Sequence, residues 1–209
     1  MDTFFLILEI AGTVAFAVSG SLLALTKGMD LFGVCVMGLV TACGGGVMRD
    51  LFLDKLPPAM FREPVYALTA IGVSLVMFLP FVRKLLTRGE KVYEAVLLIA
   101  DSLGLGIFTA AGVAAAAGAG YGDNLFFAVF LGTVTGVGGG VMRDVLAGLP
   151  PYIFVKHIYA CASIAGAILC AVLWRFTGQA WAMLGCLILV FVIRILAARY
   201  HWSLPKAKL

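Results

Sequence analysis

The chain has 209 residues, 63% of them hydrophobic and 12% charged, with a mean hydropathy of +1.09 and a formal net charge of +4. Soluble domains are about half apolar and a quarter charged, so this composition excludes a water-soluble globular protein and describes an integral membrane protein. The 15 Lys and Arg residues fall at the ends of apolar runs and form no patch, which argues against nucleic acid as a partner and assigns them to membrane orientation.

A helix needs about 20 apolar residues to cross roughly 30 Å of hydrocarbon. Seven such runs follow one another, near 3–25, 31–52, 64–84, 92–117, 124–146, 154–175 and 180–199. Membrane β-strands would alternate apolar and polar residues over about ten positions. None of these runs alternates, so the expected fold class is all-α. The first run follows Met-Asp without a basic leader, holds Glu9 and is too long for a signal-peptide core, which predicts a retained helix. The second run ends in Cys43, then Gly44, Gly45 and Gly46, then Arg49 and Asp50, with Pro57 and Pro58 beyond. The fourth carries Asp101 nine residues in, roughly 13 Å deep at 1.5 Å per residue. The fifth ends in Gly138, Gly139, Gly140, Arg143 and Asp144, with Pro150 and Pro151 beyond, repeating the stretch GGGVMRD letter for letter. Before the sixth, His157 beside Lys156 reads as interfacial. The five cysteines, Cys35, Cys43, Cys161, Cys170 and Cys186, lie inside apolar runs without metal-ligand spacing, which predicts buried, inert thiols.

The repetition extends past the glycines. Glu9, Gly12, Phe16 and Gly20 match Asp101, Gly104, Phe108 and Gly112 at an offset of 92, Thr41 matches Thr135 at 94, and Phe61 and Tyr66 match Phe154 and Tyr159 at 93. The chain is thus expected to be a single membrane domain over 1–209. It comprises one repeat at about 3–84, a second at about 92–175 and a seventh helix at about 180–199. Because each repeat has three spans, the second enters the membrane from the opposite side, giving an inverted pair. Lys27, Arg83, Lys84, Arg88, Lys91, Arg143, Lys156, Arg194, Arg199, Lys206 and Lys208 fall on one side, against Arg49, Lys55, Arg62 and Arg175 on the other. This bias predicts an external N-terminus and a cytoplasmic C-terminus.

One motif lies toward each face of the membrane, so a positive-inside anchor does not account for both arginines. Glycine accepts backbone conformations closed to other residues, and three in a row predict a break or bend in the second and fifth spans, lining a polar path; they also let another helix come close or present bare carbonyls to a cation. Arg49, Asp50, Arg143 and Asp144 are then expected to turn inward, with both arginines in contact with water. Glu9 and Asp101 share helical faces with small residues and supply a second matched pair. Thr41 and Thr135, three residues before each glycine run, either face the path or bond their own helices. No dinucleotide, phosphate-loop, HExxH or GxSxG pattern occurs, so no catalytic constellation or cofactor is expected.

Two GGGxxRD copies, each followed by a double proline, in a chain of three plus three plus one spans resemble the prokaryotic trimeric intracellular cation (TRIC) channel family, also known as a bacterial glycine-transporter domain family. The resemblance covers about residues 3–200. It implies a homotrimer in the prokaryotic inner membrane, surrounded by lipid. It also implies a pore inside each protomer, lined by bent second and fifth helices, and passive passage of the monovalent cations K⁺ and Na⁺. The Lys-Glu pair of the animal members is not found here, which separates their lipid-dependent gating from this chain. No TVGYG-like filter is present, which argues against sharp K⁺ selectivity. Inverted repeats with broken helices are equally apt for a secondary transporter, and a carrier of a small amino acid such as glycine is the alternative function.

Overall fold

The computed structural model describes residues 3–86, 89–155 and 158–202; Arg88, Lys156, His157, Lys206 and Lys208 lie outside these residues. Ten α-helices follow in chain order: α1 (Thr3–Thr26), α2 (Leu31–Phe52), α3 (Ala59–Arg62), α4 (Val65–Phe78), α5 (Pro80–Leu86), α6 (Glu90–Ala116), α7 (Leu125–Leu146), α8 (Tyr152–Val155), α9 (Ala160–Thr177) and α10 (Gln179–Arg199). A π-helical turn, Ala117–Tyr121, extends α6. Six helices are long and apolar enough to cross a membrane, and α4 with α5 makes a seventh, bent span.

The local signals that start and stop α2 and α7 are themselves repeated. Asp30 caps α2 by accepting a bond of 2.8 Å from the Gly33 amide, and Asn124 caps α7 by accepting one of 3.0 Å from the Phe127 amide. Both satisfy amides that the first turn leaves without partners. Each helix ends through a left-handed residue, Asp54 at φ 53° and Gly148 at φ 67°. The next amides, of Lys55 and Leu149, reach back 2.9 Å to the carbonyls of Asp50 and Asp144, closing the helix by the usual left-handed C-terminal turn.

The third span departs from the expectation of one helix over 64–84. It bends by 79° between α4 and α5, at Leu79, which is extended at φ −54° and ψ 134°. Pro80 follows, and proline both lacks the amide a continuing helix needs and disfavours helical backbone before it. The 14 residues of α4 rise only about 21 Å. The expected break at the triple glycines is also corrected. α2 runs as one 22-residue helix through Gly44, Gly45 and Gly46, and α7 as another through Gly138, Gly139 and Gly140.

Those glycines serve the close approach that was the other role open to them. A Cβ on Gly45 would collide with the Thr135 carbonyl oxygen, and one on Gly139 with the Thr41 carbonyl oxygen. Gly44 and Gly138 face the sulfurs of Met142 and Met48, where a Cβ would stand at 2.6 and 2.8 Å. Helices with a shared small-residue face pack backbone against backbone, and α2 and α7 do so here. Rising numbers on α2 meet falling numbers on α7. The same holds where α1 meets α6: Gly12 faces Phe108, Phe16 faces Gly104, and Ser19 reaches Asp101. Equivalent helices are therefore antiparallel, which makes the two repeats inverted. Phe16 and Phe108, equivalent residues, stack on each other at 5.3 Å between ring centres, as residues at a pseudo-twofold axis must.

α4 packs on α1 and α2, and α9 on α6 and α7, completing the two matched trios; α10 covers α6 and α9 and has no counterpart. Cys43, Cys170 and Cys186 are buried as expected, whereas Cys161 is exposed and Cys35 half-buried. Large apolar residues such as Phe32, Phe81, Phe126 and Phe176 face outward, a surface that only hydrocarbon or another copy of the chain tolerates.

The crossing predicts a steep local penalty. Gly139→Ala and Gly45→Ala, each adding one methyl against a backbone carbonyl, are expected to destabilise the protein by about 1–3 kcal/mol. Gly72→Ala, where an added Cβ meets nothing within 4 Å, is expected to be neutral or slightly stabilising. Thermal melting in detergent measures both.

Candidate functional site

α1 and α6 carry their carboxylates on buried faces, while α2 and α7 deliver an arginine and an aspartate at their last turns. The packing of α1 against α2 and of α6 against α7 brings these into two clusters. In the first, Arg49 donates from Nη1 to Glu9 Oε1 at 3.2 Å and from Nε to Asp50 Oδ1 at 2.9 Å. Tyr66 of α4 donates its hydroxyl to the other Glu9 oxygen. Asp50 Oδ2 accepts the Ala59 amide at 2.7 Å, at the start of the short helix after the double proline.

The second cluster repeats the plan. Arg143 donates from Nε to Asp144 Oδ1 at 2.9 Å and from Nη1 to Asp101 Oδ1. Asp144 Oδ2 accepts the Tyr152 amide at 2.8 Å, at the start of α8. Here Ser19 crosses over from α1 to accept from Arg143, a role that its repeat equivalent Ala111 cannot return. The Arg143 guanidinium also lies 5.0 Å from the centre of the Tyr152 ring. A guanidinium over an aromatic face is attracted by the ring quadrupole.

The third glycine of the second motif makes room for this chemistry, whereas that of the first meets only ordinary contact. A Cβ on Gly46 would stand 3.9 Å from Arg49 Nη2; one on Gly140 would stand 3.8 Å from Arg143 Nη2 and 2.9 Å from the Tyr159 hydroxyl. Thr41 and Thr135 turn their hydroxyls to the carbonyls of Met37 and Leu131, each at 2.6 Å. Of the two readings left open for them, bonding within their own helices is the one realised, and their backbone carbonyls, not their hydroxyls, meet the opposing glycines.

The two clusters differ in access. A recess of about 30 Å³ is lined by Glu9, Thr13, Cys43, Arg49, Tyr66 and Phe108. Arg143, Asp101 and Asp144 are each 0% exposed. Arg49 thus lines the recess, whereas Arg143, expected to meet water, is closed over by side chains of α1, α6 and α8 and by Tyr159. Sequence reasoning passed over Tyr152, set Ser19 only among the small residues on the face of Glu9, and read Arg194 as an orientation charge. Tyr66 and Tyr159 were visible as a repeat match, and that match was the available signal for their place beside the carboxylates. Among the described residues no group of His, Cys, Asp and Glu is placed to hold a metal ion.

The difference in burial sets an order of stability. Arg143→Met leaves Asp101 and Asp144 buried without their countercharge and is expected to cost about 3–5 kcal/mol. Arg49→Met is expected to cost less, because Glu9 keeps its bond to Tyr66 and the recess admits water. Urea or thermal unfolding of the two variants side by side checks the order.

Comparison with known proteins joins these features to a family. The family model described as "Glycine transporter" matches residues 6–81 and 98–175, one segment in each repeat and each holding its glycine and Arg-Asp motif. The UPF0126 inner membrane protein YadS of Escherichia coli K12 is 38% identical over 201 residues, covering 95% of this chain and 93% of that protein. A TRIC cation channel solved to explain conductance is 35% identical and superposes with a TM-score of 0.84, over 97% of each chain. The TRIC trimeric intracellular cation channel orthologue from Rhodobacter sphaeroides is 31% identical with a TM-score of 0.87, over 96% of this chain and 100% of that one. With the same helical fold from end to end and both motif copies inside the matched segments, the chain belongs to the TRIC family, the one whose sequence model bears the description glycine transporter.

Proposed function

We propose that this chain is a channel for monovalent cations, K⁺ and Na⁺, which cross each protomer between α1, α2, α6 and α7, and that it works as a homotrimer. The observation that carries this reading is the pair of clusters on either side of the pseudo-twofold axis. In the first, two carboxylates face one arginine, a net negative charge at the mouth of the recess, and this attracts cations. The arginine limits how tightly a cation is held. Conduction needs both, since a site must draw the ion in and still release it. Phe108, in the wall of the recess, stacks on Phe16 beside the crossing of α2 and α7, and parting of these helices opens the path.

The relatives solved as cation channels support the same reading, as does the multi-pass fold they share with this chain. The charge bias of the connections supports an external N-terminus and a cytoplasmic C-terminus, in the inner membrane of a prokaryote. The outward Phe residues meet lipid or neighbouring protomers. A carrier of glycine is supported less well. Carriers of this architecture hold an anionic substrate at the N-terminal ends of interrupted helices, whereas α2 and α7 run without interruption and the carboxylates already hold arginines. The sequence has no TVGYG-like filter of stacked carbonyl rings, so discrimination between K⁺ and Na⁺ is expected to be weak.

Purified protein in planar bilayers is expected to give unitary currents with similar K⁺ and Na⁺ permeability and little Cl⁻ permeability. The same protein in vesicles is expected to take up no glycine above the empty-vesicle level. Saturable glycine uptake without unitary currents would reverse the choice between channel and carrier.

A further inference from the structure

The second cluster has a component that the repeat does not encode. Tyr159 donates its hydroxyl to Asp101 as Tyr66 does to Glu9, so the pairing of tyrosine with carboxylate is common to both ends. Tyr152, in contrast, stands where the first repeat has Ala59, each giving its amide to the aspartate of its motif. The Tyr152 and Tyr159 rings meet edge to face with their centres 6.3 Å apart. A cation lies against each ring, Arg143 at 5.0 Å from the centre of Tyr152 and Arg194 of α10 at 4.8 Å from that of Tyr159. Arg194 is 3% exposed, and among the described residues it forms no ion pair.

A buried cation without a paired carboxylate is costly unless a neighbouring charge offsets it. For Arg194 that charge is the cluster to which Tyr159 is bonded. Arg143 against Asp101 and Asp144 leaves one negative charge in excess, and Arg194 cancels it. Arg49 against Glu9 and Asp50 leaves the same excess in the first cluster, where a further carboxylate joins it. Glu63, half-buried just before α4, accepts the Tyr66 amide on its carbonyl at 3.4 Å and acts electrostatically on both Glu9 and Tyr66. At the offset of 93 that matches Tyr66 to Tyr159, the position of Glu63 holds Lys156. Lys55 and Arg62, on the side of the first cluster, are exposed, where water and salt screen them. The cluster shut off from water is thus neutralised from within, and the one lining the recess keeps its negative excess.

We propose that the two ends of the path draw cations unequally: the first cluster with Glu63 is the attracting mouth, Arg194 cancels the attraction of the second, and an open protomer rectifies, passing more current when cations enter at the first cluster. This rests on the channel reading and adds to it a direction. A mouth lined by charge of one sign raises the local concentration of its counter-ion and hence the rate of entry, most of all when the surrounding salt is dilute. The seventh helix thereby acquires a role that an inverted repeat cannot supply, a cation at one end only.

The test is single-channel recording of the full-length protein in planar bilayers, read as the larger over the smaller current at equal and opposite voltages. That ratio does not depend on which way a channel inserts. In about 50 mM symmetric KCl the wild type is expected to rectify about twofold, and in about 1 M KCl to become nearly ohmic as salt screens the mouth. Arg194→Gln is expected to bring the ratio close to one by raising the smaller current, and Arg194→Lys, which keeps the charge, to preserve the ratio. Glu63→Gln is expected to reduce the ratio by the other route, lowering the larger current. Ohmic wild-type current in dilute salt overturns the proposal, as does an Arg194→Gln protein that rectifies like the wild type or that loses the larger current. Should Arg194→Gln fail to fold, Glu63→Gln decides, and a larger current equal to that of the wild type overturns the proposal. A wild-type protein that passes no current overturns the channel reading and the direction with it, so the two failures are told apart.

Discussion

An arginine at membrane depth must be matched by acceptors or it drives the helix out of the bilayer, and this requirement fixes most of the present structure. Each motif arginine draws on two sources. The aspartate beside it in sequence comes with the same helix turn, and the carboxylate on α1 or α6 comes from a neighbouring span. The aspartate then uses its second oxygen to hold the first amide of the short helix after the double proline. One guanidinium thus ties together a spanning helix, its neighbour and the connection that follows. The double prolines suit this arrangement, because they end the preceding chain in an extended form and leave the next amide free to be claimed. Such pairs contribute little net stability over well-packed apolar residues, but breaking one partner of a buried pair is costly. They therefore specify where the helices sit more than they hold the bilayer-spanning bundle together.

The glycine triplets answer the same requirement from the other side. For both clusters to lie near the pseudo-twofold axis, α2 and α7 must cross with their backbones nearly touching, and any side chain at Gly45 or Gly139 would enter the opposite carbonyl. The third glycine of the second triplet clears the space that the Tyr159 hydroxyl takes. Glycine in a helix is unfavourable by about 1 kcal/mol relative to alanine, and here that cost is offset by a crossing no other residue permits. The two functions of the repeated stretch, close crossing and inward charge, are one device spaced along two turns of helix.

Much of this was legible in the sequence, for identifiable reasons. Spans follow from apolar length, and the inverted repeat follows from an odd number of spans in each copy. The inward turn of Arg49 and Arg143 follows from the failure of a single-sided anchor to explain two copies on opposite sides. What was not legible depends on geometry between spans. A triple glycine is compatible with a broken helix and with a continuous one pressed against another, and only the position of Thr41 and Thr135 on the partner helix decides. The bend at Leu79 was signalled by Pro80, but the apolar run continues through it and hides the break from any count of hydropathy. Arg194 sits near the end of its helix, where orientation charges are expected, and nothing local distinguishes a cation that reaches the headgroups from one that folds back onto a buried tyrosine.

The departures from symmetry have a common logic. A strict inverted duplication gives two equivalent ends, and a path with equivalent ends has no reason to open at one before the other. Three differences break the tie here, and each acts at the same cluster: Asp101 for Glu9, Ser19 without a return partner at Ala111, and α10 packed on one repeat only. The first shortens the carboxylate, the second adds a bond across the axis to the more deeply buried arginine, and the third brings in a cation and covers one repeat. The inverted repeat thus supplies the scaffold and the charges at both ends, and these three differences make the two ends unequal.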